Sequence, residues 1–175
     1  VRARARARGL ENLEVVTADM NGFAPAGRFD RVVSVEMFEH MRNWPELLRR
    51  ISGWLRPDGR LFLHVFAHRR FAYPFEVDGD GDWMARHFFT GGIMPAHELL
   101  SHVPGPFEVE ERWLVPGIHY ARTAEVWLAR LDAGRDRAVA ALATVLSPRE
   151  AELQAGRWRI FFLACAELFG FAGGE

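Results

Sequence analysis

The stretch FDRVVSVEMFEH, residues 29–40, decides the fold. Residues 29–35 form a Val-rich apolar run of strand length, which reads as a buried parallel strand. Glu36, Glu39 and His40 then arrive within about one helical turn of that strand's carboxyl end. In an open α/β sheet ligands bind at that edge, so ionisable groups gathered there point to chemistry.

Working outward, Trp44-Pro45 opens a helix with Pro in its first turn. Leu47, Leu48, Ile51 and Leu55 then recur at helical spacing. Arg56-Pro57-Asp58-Gly59 is a turn sequence, and RLFLHVF (60–66) reads as a further strand. Upstream, LEVVT (13–17) is a β-rich run closing on Asp19, followed by a loop over 22–27. The front half therefore reads strand, strand, helix, strand, which parallel pairing through crossovers satisfies. Residues 67–92 are irregular and aromatic, long enough for a lid or substrate loop. A helix is expected from Pro95 through His102, a strand over 107–115, and a long helix capped by Thr123 and running to about Leu146. Ser147-Pro148-Arg149-Glu150 is a capping box. The helix behind it sets Trp158, Phe161, Phe162, Cys165 and Phe169 on one face.

Composition bounds the function classes. The 175 residues are 49 % hydrophobic and 26 % charged, with formal net charge −1, as expected of one globular domain over 1–175. Such a balance supplies no bulk field for nucleic acid or an anionic membrane. Every basic side chain apart from histidine is Arg, and the alternating Arg2, Arg4, Arg6 and Arg8 scatter around a helix as a solvated face. No apolar run approaches the roughly 20 residues of a membrane span. The single Cys165 excludes an internal disulfide framework and suits a reducing compartment, so a cytoplasmic location is expected. Val1 at the start, a helix lacking its beginning over 1–9, and Gly173-Gly174-Glu175 at the end suggest a fragment cut at both ends.

The ionisable cluster supports two readings. If a helix follows the strand, Glu36, Glu39 and His40 share a face at i, i+3 and i+4, where they can orient an amine or take its proton. Alternatively, the two glutamates only favour a helix dipole. A carboxylate-bridged metal site needs matching sets from several helices; one set is visible, and no metal is expected. His64, alone in an apolar strand, fits a hydrogen-bonded core residue. Asp19 could accept hydrogen bonds from a purine amine or a ribose, or only shape a turn. Trp158, Phe161 and Phe162 suit either core or the wall of a pocket for an apolar or cationic substrate.

Taken with VTADMNGF (16–23), LRPDGRLFLHVFAHRRFAYPFE (55–76), DWMARHFFTGGIMP (82–95), WLVPGIHYARTAEVWL (113–128) and GRWRIFFLACAELFG (156–170), the opening motif, extended to Trp44, resembles a known family over nearly the whole chain. The family is the S-adenosylmethionine-dependent methyltransferases of the cyclopropane fatty acid synthase and coclaurine N-methyltransferase group. The resemblance implies a class I, Rossmann-like methyltransferase sheet with helices on both faces, here lacking its first strands and its closing strand. It implies that Asp19 and Met20 contact the adenine of S-adenosylmethionine. It places Glu36, Glu39 and His40 beside the transferable methyl, with Glu39 and His40 holding an amine and accepting its proton, and Trp158 and Phe161 lining the substrate pocket. On the cyclopropane-synthase side it implies instead that Glu39, His64 and Tyr120 hold a bicarbonate, the substrate being an unsaturated acyl chain of a phospholipid met by peripheral membrane contact. The run HRRFAYPFE (68–76) and the absence of a Gly in 64–67 lean toward a small amine. The Gly-rich loop that follows the family's first strand has no counterpart here, so this polypeptide is expected to bind the cofactor poorly, to expose unpaired sheet edges, or to be a non-catalytic remnant that binds a partner through its aromatic surface. Oligomeric state is not legible.

Overall fold

A computed structural model describes residues 1–79 and 81–174. In chain order the elements are α1 (Arg2–Ala7), β1 (Phe29–Val35), a 3-10 turn (Phe38–His40), α2 (Trp44–Trp54), β2 (Leu55–His64), β3 (Tyr73–Pro74), α3 (Trp83–His87), β4 (Ile93–Met94), α4 (Leu99–His102), α5 (Ile118–Ala133), α6 (Arg135–Leu142) and α7 (Pro148–Gly170), closed by a second 3-10 turn, Phe171–Gly173. It is an α/β arrangement, and β1 and β2 pair in parallel across the α2 crossover as the sequence predicts.

The core follows from α2. Asn43 caps it by accepting from the Glu46 amide at 3.2 Å, with Pro45 in its first turn. Its apolar stripe then buries Trp44, Leu47, Leu48 and Ile51 together with Phe38 and Leu55. Burying a side chain of this size is worth about 1.5–3 kcal/mol, so this cluster anchors the β1–α2–β2 unit. The Trp44 indole N–H donates to the carbonyls of Phe38 and Met41, both at 3.0 Å. The first core residue thereby fixes the 3-10 turn that carries Glu39 and His40.

The expected Arg56-Pro57-Asp58-Gly59 turn is present as a bulge at the start of β2. Pairing jumps from Phe29↔Leu55 to Arg31↔Arg60, and Asp58 adopts φ 62. Beyond the bulge the register is regular and sets Val35 beside His64.

Several expected elements differ. Residues 13–17 form no strand, and neither do 107–115: β propensity forms no strand without a neighbour to complete the ladder. The helix from Pro95 shrinks to Leu99–His102. Thr123 is not a cap. Its helix begins five residues earlier, at Ile118, and the Thr123 hydroxyl donates back to the His119 carbonyl at 2.9 Å. That helix also stops at Gly134, a poor helix former, and restarts as α6. The capping box is as expected: the Glu150 amide donates to Ser147 Oγ, and Glu150 Oε2 accepts from the Ser147 amide at 3.1 Å. α7 lies along α5 and α6, where the buried alanines 121, 124, 151 and 155 permit close approach.

Candidate active site

β1 ends in a backbone that a side chain adopts reluctantly. Glu36 has φ 50, a conformation costing on the order of 1–3 kcal/mol outside glycine. Its amide donates to the His64 carbonyl at 3.0 Å, extending the parallel ladder by one residue. The chain then turns into the 3-10 helix rather than an α-helix. This corrects the shared-face expectation, because Glu36, Glu39 and His40 diverge. Glu36 faces an open concavity, Glu39 is buried, and His40 is half exposed on the aromatic side.

His64, which its isolation in the sequence made a core candidate, is brought to Glu36 by the parallel register. Its Nδ1 lies 3.0 Å from Glu36 Oε1, a close contact without hydrogen-bond alignment. Tyr120, in the first turn of α5, brings its hydroxyl to the same carboxylate. Its ring rests on Phe169 of α7 at 4.3 Å. Burial raises the Glu36 carboxyl above its usual range, against the pull of His64 and Tyr120. Burial, followed by the nearby Glu36 charge, pushes the Tyr120 hydroxyl up to about 12.

Glu39 is 1 % exposed. Burial pushes its carboxyl up to about 7, with the negative charge of Glu36 adding to the rise. Its Oε2 has no hydrogen-bond partner among the described residues, and Oε1 lies 3.8 Å from His40 Nε2. An orphaned buried carboxylate oxygen is a costly feature that a bound donor would relieve.

Aromatic side chains wall the site. Phe161 of α7 stacks on Phe88 at 4.3 Å and meets Phe89 at 5.9 Å. Trp158 sits one layer back, packed on Phe88 at 4.8 Å and on Phe162. Phe89 also touches His40, Phe66 and Phe75. Arg42, which no motif singles out, reaches this segment through its guanidinium.

Asp19 and Met20 lie apart from this cluster. Asp19 Oδ1 accepts from the backbone and side-chain amides of Asn21 at 2.8 and 3.0 Å, as a turn residue does. The Met20 side chain packs on the α2 core, and its carbonyl accepts from Arg50 at 2.9 Å. Among the described residues no group of His, Cys, Asp and Glu could hold a metal ion. Nor is any helix long and apolar enough to cross a membrane.

Fold and site together define an α/β domain with carboxylates and imidazoles at the carboxyl edge of a parallel pair, faced by an aromatic wall. The mycolic acid cyclopropane synthetase profile matches residues 1–172, and the chain belongs to that family. It is 35 % identical over its whole length to (S)-coclaurine N-methyltransferase of Thalictrum flavum subsp. glaucum, covering 50 % of that protein. It is 30 % identical over 59 % of its length to cyclopropane-fatty-acyl-phospholipid synthase of Escherichia coli K12, covering 26 % of it. A crystal structure of coclaurine N-methyltransferase bound to N-methylheliamine and SAH superposes with TM-score 0.87 at 37 % identity, over 99 % of this chain and 53 % of that one. The fold is therefore that of the methyltransferase, and the chain spans about half the length of the N-methyltransferases it matches.

Proposed function

We propose that this chain is part of an S-adenosylmethionine-dependent methyltransferase whose acceptor is a small amine. The observation that carries the reading is Glu39: buried, with one carboxylate oxygen unpartnered, raised to about 7, and next to His40, whose ring stacks on Phe89 of the aromatic wall. A general base works best when its pKa lies near the operating pH. An ammonium is also the kind of group that aromatic faces and an orphaned carboxylate both attract.

S-adenosylmethionine, when bound, supplies an electrophilic methyl group. This chain's residues do the rest. Glu39 accepts a proton from the acceptor nitrogen, and His40, 3.8 Å away, orients that nitrogen. Glu36 adds negative charge at the rim, where His64 and Tyr120 hold its carboxylate. Phe161, backed by Phe88 and Trp158, shuts water from the apolar body of the acceptor. Asp19 and Met20 are assigned to the adenine, and a cytoplasmic location and a single catalytic domain complete the reading. The fixed geometry of these groups is expected to supply most of the rate.

Acyl-chain cyclopropanation is the weaker reading. It asks His64 and Tyr120 to share a bicarbonate with Glu39, whereas both engage Glu36. The cyclopropane synthase also matches a smaller share of the chain than the N-methyltransferases do. A methyl-transfer screen of the full gene product against amines, and against unsaturated phospholipid vesicles with bicarbonate varied, decides between them. Amine methylation is expected, with Glu39→Gln lowering turnover by roughly 10²-fold or more and changing cofactor affinity far less. Equal loss of both would assign Glu39 a structural role.

A further inference from the structure

The aromatic segment over 67–92 has little regular structure of its own. Among its described residues the pairing comprises β3 with β4, the hydrogen bond from the Phe75 amide to the Gly92 carbonyl at 2.9 Å, and a parallel bridge between His68 and Ala96. Yet it lies tightly on the turn that carries Glu39 and His40. A Cβ on Gly92 would stand 2.5 Å from the Glu39 carbonyl oxygen, so the two backbones are in direct contact. The Phe89 ring lies parallel to the His40 imidazole, with centroids 5.8 Å apart and planes 16° apart, and is itself stacked on Phe75 at 5.0 Å.

The side chain bridging turn and segment is Arg42, two residues beyond His40. Its Nε donates to the Gly91 carbonyl at 2.9 Å and its Nη2 to the Phe75 carbonyl at 3.3 Å; Glu76 Oε1 lies 3.7 Å from Nη1. Gly91 and Phe75 stand on opposite sides of the Phe89 ring along the chain. One rigid guanidinium therefore grips both crossings of the segment, which a point-charge ammonium could not do with fixed geometry. We infer that Arg42 is a positioning residue: it straps the aromatic segment onto the 38–40 turn and thereby fixes the His40 ring against Phe89. The consequence for turnover rests on the proposed methyl transfer; the strap itself does not.

Glutamine and methionine separate donor from bulk. The Nε2 of a glutamine at position 42 falls where the arginine Nε lies, so Arg42→Gln keeps the Gly91 bond and loses the other. Arg42→Met keeps the stem and loses both. The His40 Hε1 proton resonance, displaced by the ring current of Phe89, reads the stack directly. It is expected to keep most of its displacement in Arg42→Gln and to collapse toward the free-histidine position in Arg42→Met. Glu76→Gln, which removes only the ion pair, is expected to leave it in place. In the full gene product, Arg42→Met should lower kcat roughly tenfold, more than it raises the KM for the amine. The inference is overturned if Arg42→Met leaves the His40 signal unmoved, or if Arg42→Gln moves it as far as a folded Arg42→Met does. Absence of methyl transfer from the wild type would sink the proposed function and leave the resonance test intact.

Discussion

At the scale of single residues, Glu39 makes a prediction with a defined sign. Its folded pKa stands at about 7, above the ordinary 4.5, because burial disfavours its charge. The folded state therefore binds this proton more tightly than the unfolded chain does. Stability from this group is fully present below the unfolded value and is lost as pH rises toward and through about 7. At about 1.4 kcal/mol per pH unit the loss is on the order of 3 kcal/mol. Glu39→Gln, which cannot ionise, should equal the wild type near pH 4.5 and exceed it in Tm at pH 8. Thermal melts across that range check it; a constant gap at all pH values would remove burial as the cause. Gly92 supplies a second prediction. Its Cβ position is occupied by the Glu39 carbonyl oxygen, so Gly92→Ala must displace backbone. A loss of about 1–3 kcal/mol is expected in denaturant melts, and Gly91→Ala cannot serve as a control because Gly91 has φ 80. The sequence exposed Glu36, Glu39 and His40 through their place after β1, but their divergence was not legible. It depends on the left-handed Glu36, which no spacing rule announces. His64 became informative only through the β1–β2 register, which sets it beside Glu36 across 28 residues of chain.

At the scale of elements, legibility tracked local signals. α2 and α7 carry their own start codes, Asn43 with Pro45 and Ser147 with Glu150, and both begin where those residues say. Strands behaved differently: 29–35 pairs because α2 returns the chain beside it, while 13–17 and 107–115 share its composition without a partner. A strand is a relation between segments, and one segment's sequence states only half of it. The α7 cap has consequences for the site, since α7 carries Phe161, Cys165 and Phe169 behind the Glu36–Tyr120 pair. Ser147→Ala removes the bond from the Glu150 amide to Ser147 Oγ and the hydroxyl's own bond to Glu150 Oε2, keeps the bond from the Ser147 amide, and should cost about 1 kcal/mol in equilibrium unfolding. Its effect on the His40 resonance should be negligible, because the frayed turn lies more than two helical turns before Phe161.

At the scale of the whole molecule, the feature that stands out is how much apolar surface the described residues leave uncovered. β1 has β2 as its one partner among them, and Val33 and Val35 are 67 % and 56 % exposed. The irregular run holding Trp113, Leu114 and Val115 lies open as well. An exposed edge with such side chains is a pairing hazard, and the 175-residue chain should enhance the fluorescence of an apolar dye and self-associate, less so as Val33→Lys. Cofactor affinity is limited by the same lack of cover. A Kd of 1 μM requires about 8 kcal/mol net, after association has already cost several kcal/mol. The groups this chain offers are an exposed turn at Asp19 and the rim around Glu36. Between Asp19 and Glu39 the chain runs through β1 and the 3-10 turn, without an α-helix N-terminus to hold the polar middle of such a ligand. Titration calorimetry of this polypeptide with S-adenosylmethionine should therefore show no saturation below about 100 μM, which is roughly 5.5 kcal/mol. Micromolar saturation would mean that the contacts at these two rims suffice on their own, and the assignment of Asp19 and Met20 to the adenine would then be open to direct test by Asp19→Asn in the same cell.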